Sequence, residues 1–193
     1  MKASIKSKVV LAGLTAALLG ASTLSAVGAE SAASVAQKGL AELAKGVYST
    51  GPNGEKAAAA SSLKFTAAEL AKLKAMKATA AISFHLTSDW TSGQQAGLTK
   101  RFGELGIKIV GVTQADFKAD VQVSQIQTLM AKKPDILVSI PVDGQATAGA
   151  YKAAAAAGTK IVFMDNTAAG LTVGKDYVSV VSADNYANGA ASA

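Results

Sequence analysis

The residues with useful chemistry in this chain are carboxylates, amides and one indole, and they recur just beyond short apolar runs. Thr87, Ser88, Asp89 and Trp90 follow the run 80–86, Pro141 and Asp143 follow 136–140, Asp165 and Asn166 follow 161–164, and Asp184 and Asn185 follow 177–181. A carboxylate accepts hydrogen bonds from two adjacent hydroxyls, and such charge-assisted bonds are roughly twice as strong as neutral ones. An indole offers a flat apolar face to the C–H side of a sugar ring. Ser88, Asp89, Trp90, Asp143, Asp165 and Asn166 are therefore the candidate ligand-binding residues, and the ligand they suit is a carbohydrate or polyol. No Arg or Lys stands beside them in sequence, which argues against phosphates and carboxylates as ligands. Asp165 with Asn166 is the strongest pair, because it directly ends the apolar run I-V-F-M and no helix begins immediately after it. Asp89 and Asp143 also fit as helix N-caps, and Trp90 also fits as a packing residue at the start of a helix. Both readings stay open at this point.

Constellations for catalysis are missing from the sequence. The single histidine, His85, falls in an apolar run and reads as a core side chain rather than a general base. Neither a G-x-S-x-G elbow nor a G-x-G-x-x-G loop after the first apolar run is present. The string G-L-T-V-G-K-D at 170–176 is one residue too short for a phosphate loop and ends in Asp176 where Ser or Thr is required. Nothing calls for an enzyme, a cofactor or a metal.

The elements that must position the candidates follow from periodicity. Apolar runs at 80–86, 107–112, 136–140, 161–164 and 177–181 predict five strands. Helical patterns near 93–105, 117–132 and 145–157 alternate with them, stopped at Gly106, before Pro134 and at Gly158. That alternation predicts an α/β fold, a doubly wound parallel sheet in a Rossmann-like lobe. In such a sheet ligands bind beyond the C-terminal ends of the strands, where the polar residues collect. Two further helices are expected upstream, one over 31–48 and one starting at Thr66. In the second, T-A-A-E forms a capping box with Glu69, and Leu70, Leu73 and Met76 share a face.

The first 29 residues read differently. Lys2, Lys6 and Lys8 precede an apolar run of about 11 residues, which is short of the 18 to 20 or so needed to span a bilayer. The V-G-A triplet at 27–29 then offers small residues for a cut after Ala29, the layout of a secretory signal peptide. The formal charge is +6, from 19 basic and 13 acidic residues. Three of the basic residues lie in the leader and no acidic one does, so the exported portion is closer to neutral. Its charges are spread along the chain rather than clustered, which suggests neither a nucleic-acid stripe nor a membrane-surface helix. With no cysteine there is no disulfide, no thiolate metal site and no lipid-modified N-terminus. A periplasmic protein is expected.

The stretches D-I-L-V-S-I-P-V-D-G at 135–144, A-A-A-A-A-G-T-K-I-V-F-M-D-N at 153–166 and V-S-A-D-N-Y-A-N-G at 181–189 resemble the ribose-binding-protein group of periplasmic sugar-binding proteins. The resemblance runs from about 80 to 189. It implies the substrate-binding subunit of a bacterial ABC importer: a two-lobed clamp that closes on a sugar and presents it to an inner-membrane permease. It also implies a sugar-binding role for Asp165, and Pro141 and Asp143 resemble the family's strand-end Pro and Asp. Asn166 stands where the family often has Arg, and Trp90 keeps an aromatic platform. The expected organisation is a signal peptide at 1–29, a helical extension at 30–78 and a first α/β lobe at 79–182. Residues 183–193 then begin a crossover to a second lobe that the chain does not carry. An effector-binding core of a lactose-repressor-type regulator shares the fold but has no reason to be exported. An exported sugar or signal receptor feeding a membrane sensor and an exported α/β hydrolase are the remaining alternatives.

Overall fold

Two-residue alternation in the apolar runs sorts their side chains onto opposite faces of a sheet. The computed structural model describes residues 30–51 and 54–192, and the leader expected over 1–29 lies outside them. The strands are β1 (Thr79–Phe84), β2 (Lys108–Gln114), β3 (Ile136–Ser139), β4 (Lys160–Met164) and β5 (Ser179–Val181). All pair in parallel, in the order β2-β1-β3-β4-β5. The helices are α1 (Ala32–Leu43), α2 (Ala67–Met76), α3 (Asp89–Leu105), α4 (Ala119–Met130), α5 (Ala148–Ala156) and α6 (Asn185–Ser192). This is the doubly wound α/β lobe that the alternation of strands and helices predicts.

Leu137, Ile161 and Phe163 project to one face, where they pack with Ile126 and Leu129 of α4 and Tyr151 and Ala154 of α5. Val138 and Met164 project to the other, joining Ile82 and Phe84 of β1 and Leu98 and Phe102 of α3. At the lower end of α3, Leu70 and Leu73 of α2 pack on Ala78, Ala80, Leu105 and Ile107. Met76, expected on the same face, is 62% exposed, because Leu70 and Leu73 fill the contact by themselves. Full burial of one such aliphatic side chain contributes about 1.5–3 kcal/mol. The large apolar residues of the strands and facing helices therefore contribute most of the buried area, with Ala80, Ala81 and Ala154 filling the close contacts between them.

Local chemistry fixes the boundaries. Thr66 and Glu69 cap α2 reciprocally, as their spacing predicts. Gly106 ends α3 in the left-handed region at φ 75°, a conformation that costs glycine little. Gly111 serves a different purpose: β2 passes so close to α4 that a Cβ there would lie 2.5 Å from Leu129 Cδ2. The register of β1 on β2 shifts between Ala80 and Ala81, a bulge that increases local twist. At the lower edge, the Asp135 carboxylate accepts from Thr79 N at 2.7 Å and Thr79 Oγ1 at 2.9 Å. Those bonds tie the start of β1 to β3 and hold the Asp135 carboxyl below its usual range.

Candidate functional site

Strand order reverses between β1 and β3, so the chain leaves the sheet in opposite directions at their C-terminal ends and opens a crevice there. Loops after β1, β3, β4 and β5 converge on that edge.

After β1 the strand stops at Phe84, one residue before His85. His85 is therefore at the sheet edge and half-buried, a correction to its reading as a strand core residue. Its ring meets Trp90 edge-on at 6.4 Å and Phe117 at 5.2 Å. Burial holds its pKa below the ordinary histidine value, and the nearby Asp165 charge opposes that shift. His85 Nδ1 is buried and finds no hydrogen-bond partner among the described residues. Phe117, in the turn after β2, was not a sequence candidate. It takes φ 58° and is 64% exposed, and a bulky residue held in the left-handed region is a recognisable sign of a constrained turn.

Helix α3 begins at Asp89, four residues before the expected start, which changes the surroundings of three candidates. Ser88 is its N-cap and forms a reciprocal box with Thr91, so its hydroxyl is engaged with the Thr91 amide at 3.2 Å. Asp89 and Trp90 are the first two helical residues. Asp89 faces solvent, and Trp90 is 51% exposed. The loop is tied to β2 by a hydrogen bond from Thr87 Oγ1 to Gln114 Oε1.

After β3, Asp143 folds back on its own turn: Oδ1 accepts from Gln145 N at 2.8 Å and Ala146 N at 2.7 Å. The geometry is that of a cap, one of the two roles its sequence position allows. The segment is pinned from below by Gln122 of α4, which is fully buried. Its Nε2 donates to Ile140 O at 2.8 Å and its Oε1 accepts from Val142 N at 2.7 Å. The sequence reading missed Gln122, although a lone amide on the buried stripe of an amphipathic helix was the available signal. Ser139 Oγ adds a bond to Ser83 O at 2.9 Å and one with Tyr151 Oη at 2.7 Å. Burial of that phenol raises its pKa well beyond the usual range.

After β4, Asp165 adopts φ 66°, its amide donates to Val181 O at 2.9 Å and its Oδ1 accepts from Ser182 Oγ at 3.1 Å. The left-handed backbone turns its side chain out of the sheet into solvent. Asn166 Nδ2 reaches Pro141 O at 3.3 Å and so bridges two loops.

Trp90 and Asp165 line one groove of about 630 Å³. Leu98 and Phe102 of α3 wall one side, Asn185 and Asn188 of α6 lie on the other, and the floor is Ile136, Val138, Val162 and Met164. Its polar lining combines an indole, a carboxylate, the Ser182 hydroxyl and the three carboxamides of Gln94, Asn185 and Asn188, with no Lys or Arg. Asp89 lines a separate shallow groove along α3 with Gly93, Gly97 and Arg101. Ser88, Asp143 and Asn166 line neither. Among the described residues, no group of three His, Asp or Glu side chains is placed to hold a metal ion.

The family described as periplasmic binding protein domain matches residues 80–193. Among solved structures, an ABC transporter solute binding protein from Agrobacterium vitis, bound with alpha-D-tagatopyranose, is similar at 25% identity and a TM-score of 0.51. The match covers 56% of this chain and 39% of that one. The Caulobacter myo-inositol binding protein, bound to myo-inositol, matches at 24% identity and a TM-score of 0.51, over 58% of this chain and 37% of its own. A sugar ABC transporter (sugar-binding protein) from Bacillus halodurans matches at 19% identity and a TM-score of 0.50, over 57% and 37%. At those lower identities the last two speak for the fold alone. The chain spans roughly two fifths of the length of these proteins. Comparison with curated proteins gives no match.

Proposed function

The chain belongs to the periplasmic binding protein domain family, and from that membership we propose that it serves as the substrate-binding subunit of a bacterial ABC importer. It takes a sugar or sugar alcohol at the strand C-termini and passes it to an inner-membrane permease. The observation that carries this reading is the groove in which Trp90 and Asp165 are brought together. Asp165 accepts hydrogen bonds from neighbouring hydroxyls, and Trp90 covers the apolar side of the ring. Asn185, Asn188 and Ser182 supply neutral donors and acceptors around them. Ser88, Asp143 and Asn166 shape the surrounding loops, and Asp89 opens α3 beside Trp90. The role is that of a carrier in the periplasm rather than a catalyst, in keeping with a solute-binding family. A leader at 1–29, an extension at 30–78, a ligand-binding lobe at 79–182 and a crossover at 183–193 complete the proposed organisation.

Ligand-observed saturation-transfer NMR tests this on the chain itself, because it detects weak binding. With myo-inositol and D-tagatose as probes, at least one should receive saturation from the protein. Asp165→Ala should weaken that binding roughly 10- to 100-fold, the worth of a hydrogen bond to a charged group. Transfer to neither probe, or equal transfer in Asp165→Ala, would overturn the reading.

A further inference from the structure

Helix α6 is poorly supported by its own sequence. It has eight residues, includes Gly189 and buries none of them, and a helix of that length is marginal in water. It nevertheless supplies Asn185 and Asn188 to the groove.

What holds it comes from the other end of the chain. The Asp184 carboxylate accepts from Tyr48 N at 2.6 Å, Ser49 N at 3.1 Å and Ser49 Oγ at 2.7 Å, and also from Ala187 N at 3.0 Å within α6. Ser49 Oγ in turn accepts from Tyr186 N at 3.2 Å. The rings of Tyr48 and Tyr186 lie 6.0 Å apart, and α1 packs against α6. Tyr48 is itself fixed by a 2.7 Å bond from its hydroxyl to Glu42 O at the end of α1. One side-chain oxygen of the extension thus satisfies a carboxylate and an orphan amide of α6 at the same time.

We propose that residues 30–50 form a clasp on α6, with Tyr48 and Ser49 as positioning residues that set one wall of the groove. Its effect on ligand rests on the binding role proposed above; its effect on α6 does not. The dense donor set also holds the Asp184 carboxyl down at about 2, so the carboxylate keeps its charge further into the acid range.

The test uses the full chain and three readouts. Ser49→Ala should speed hydrogen exchange at Ala187 and Asn188 about tenfold, the loss expected from its one charge-assisted hydrogen bond, and Asp184→Ala, which removes four such bonds including that of the Ala187 amide, should speed it more. The Ile126 and Leu129 amides in α4 should keep their rates. Trp90 is the only tryptophan, and its quenching by acrylamide should rise as the facing wall loosens. Ser49→Thr, which keeps the hydroxyl, should restore both readouts. Wild-type exchange at Ala187 and Asn188 in both variants would overturn the clasp. Faster exchange with unchanged Trp90 quenching would overturn its role in shaping the groove. If neither myo-inositol nor D-tagatose receives saturation from the wild-type protein while Ser49→Ala still loosens α6 and uncovers Trp90, the carrier role falls and the clasp stands.

Discussion

Replacing Gln122 by Leu removes the side chain that fixes the exit of β3 and leaves the rest of α4 nearly unchanged in volume. Two backbone groups lose their partner, the Ile140 carbonyl and the Val142 amide. An unsatisfied buried backbone group costs about 1–3 kcal/mol. Ile140 is 3% exposed and takes the upper part of that range, whereas Val142 is half-buried and takes the lower. The sum is about 3–5 kcal/mol, a large share of the 5–15 kcal/mol or so that holds a domain of this size together. Urea denaturation followed by Trp90 fluorescence and by circular dichroism should show the loss as a shift in midpoint at constant slope. A second variant gives the sign of the effect. Gln122→Glu keeps an acceptor for Val142 N but donates to Ile140 O only when protonated. Burial raises its folded pKa, so its stability is full at acid pH and is lost as pH rises through that value. A Gln122→Leu protein within about 0.5 kcal/mol of wild type, or a Gln122→Glu protein that gains stability with rising pH, would refute the reasoning.

Other outcomes follow from single contacts. Gly111→Ala should cost about 1–2 kcal/mol by forcing Leu129 out of its rotamer, measured by the same denaturation; an unchanged midpoint would show that Leu129 yields freely. Asp165→Asn removes the charge that supports protonation of His85, so the His85 pKa, already below its ordinary value through burial, should fall further in an NMR titration. Because that folded pKa is depressed, the neutral ring's contribution to stability is present above the unfolded value near 6.5 and is lost as pH falls through the folded one. The Asp184 carboxyl, lowered from 3.8 to about 2, contributes above pH 3.8 and loses that contribution down to pH 2. Chemical shifts of the α6 amides should report this acid transition, and Asp184→Asn should abolish it.

The sheet was legible in the sequence because its strands are short, branched and flanked by clear stops: I-V-F-M alternates faces and ends at Asp165 as predicted. The start of α3 was less so. W-T-S-G-Q-Q has no apolar periodicity, and the helix begins at Asp89 because Ser88 and Thr91 cap it reciprocally, a hydroxyl pair that replaces the usual Glu or Gln. His85 was misplaced by the continuous run 80–86, which does not show that strand pairing stops at Phe84. The juxtaposition of Trp90 and Asp165 followed from strand-end position alone. The roles of Gln122 and Ser49 did not, since each depends on partners far along the chain: Ser49 meets Asp184 across 135 positions.

That separation also dictates an order of assembly. Closing a loop of such length from an unfolded chain costs more entropy than any turn in the sheet, with the cost growing slowly with length. Once β1 to β5 have paired, Asp184 lies just past β5 and only the segment between Ser49 and β1 remains to be closed, a much shorter loop. The bonds between Ser49 and Asp184 should therefore form after the sheet and open before it under stress. Mild denaturant should release the two termini together while the five strands remain paired, a partial unfolding in which opposite ends of the chain behave as a single unit.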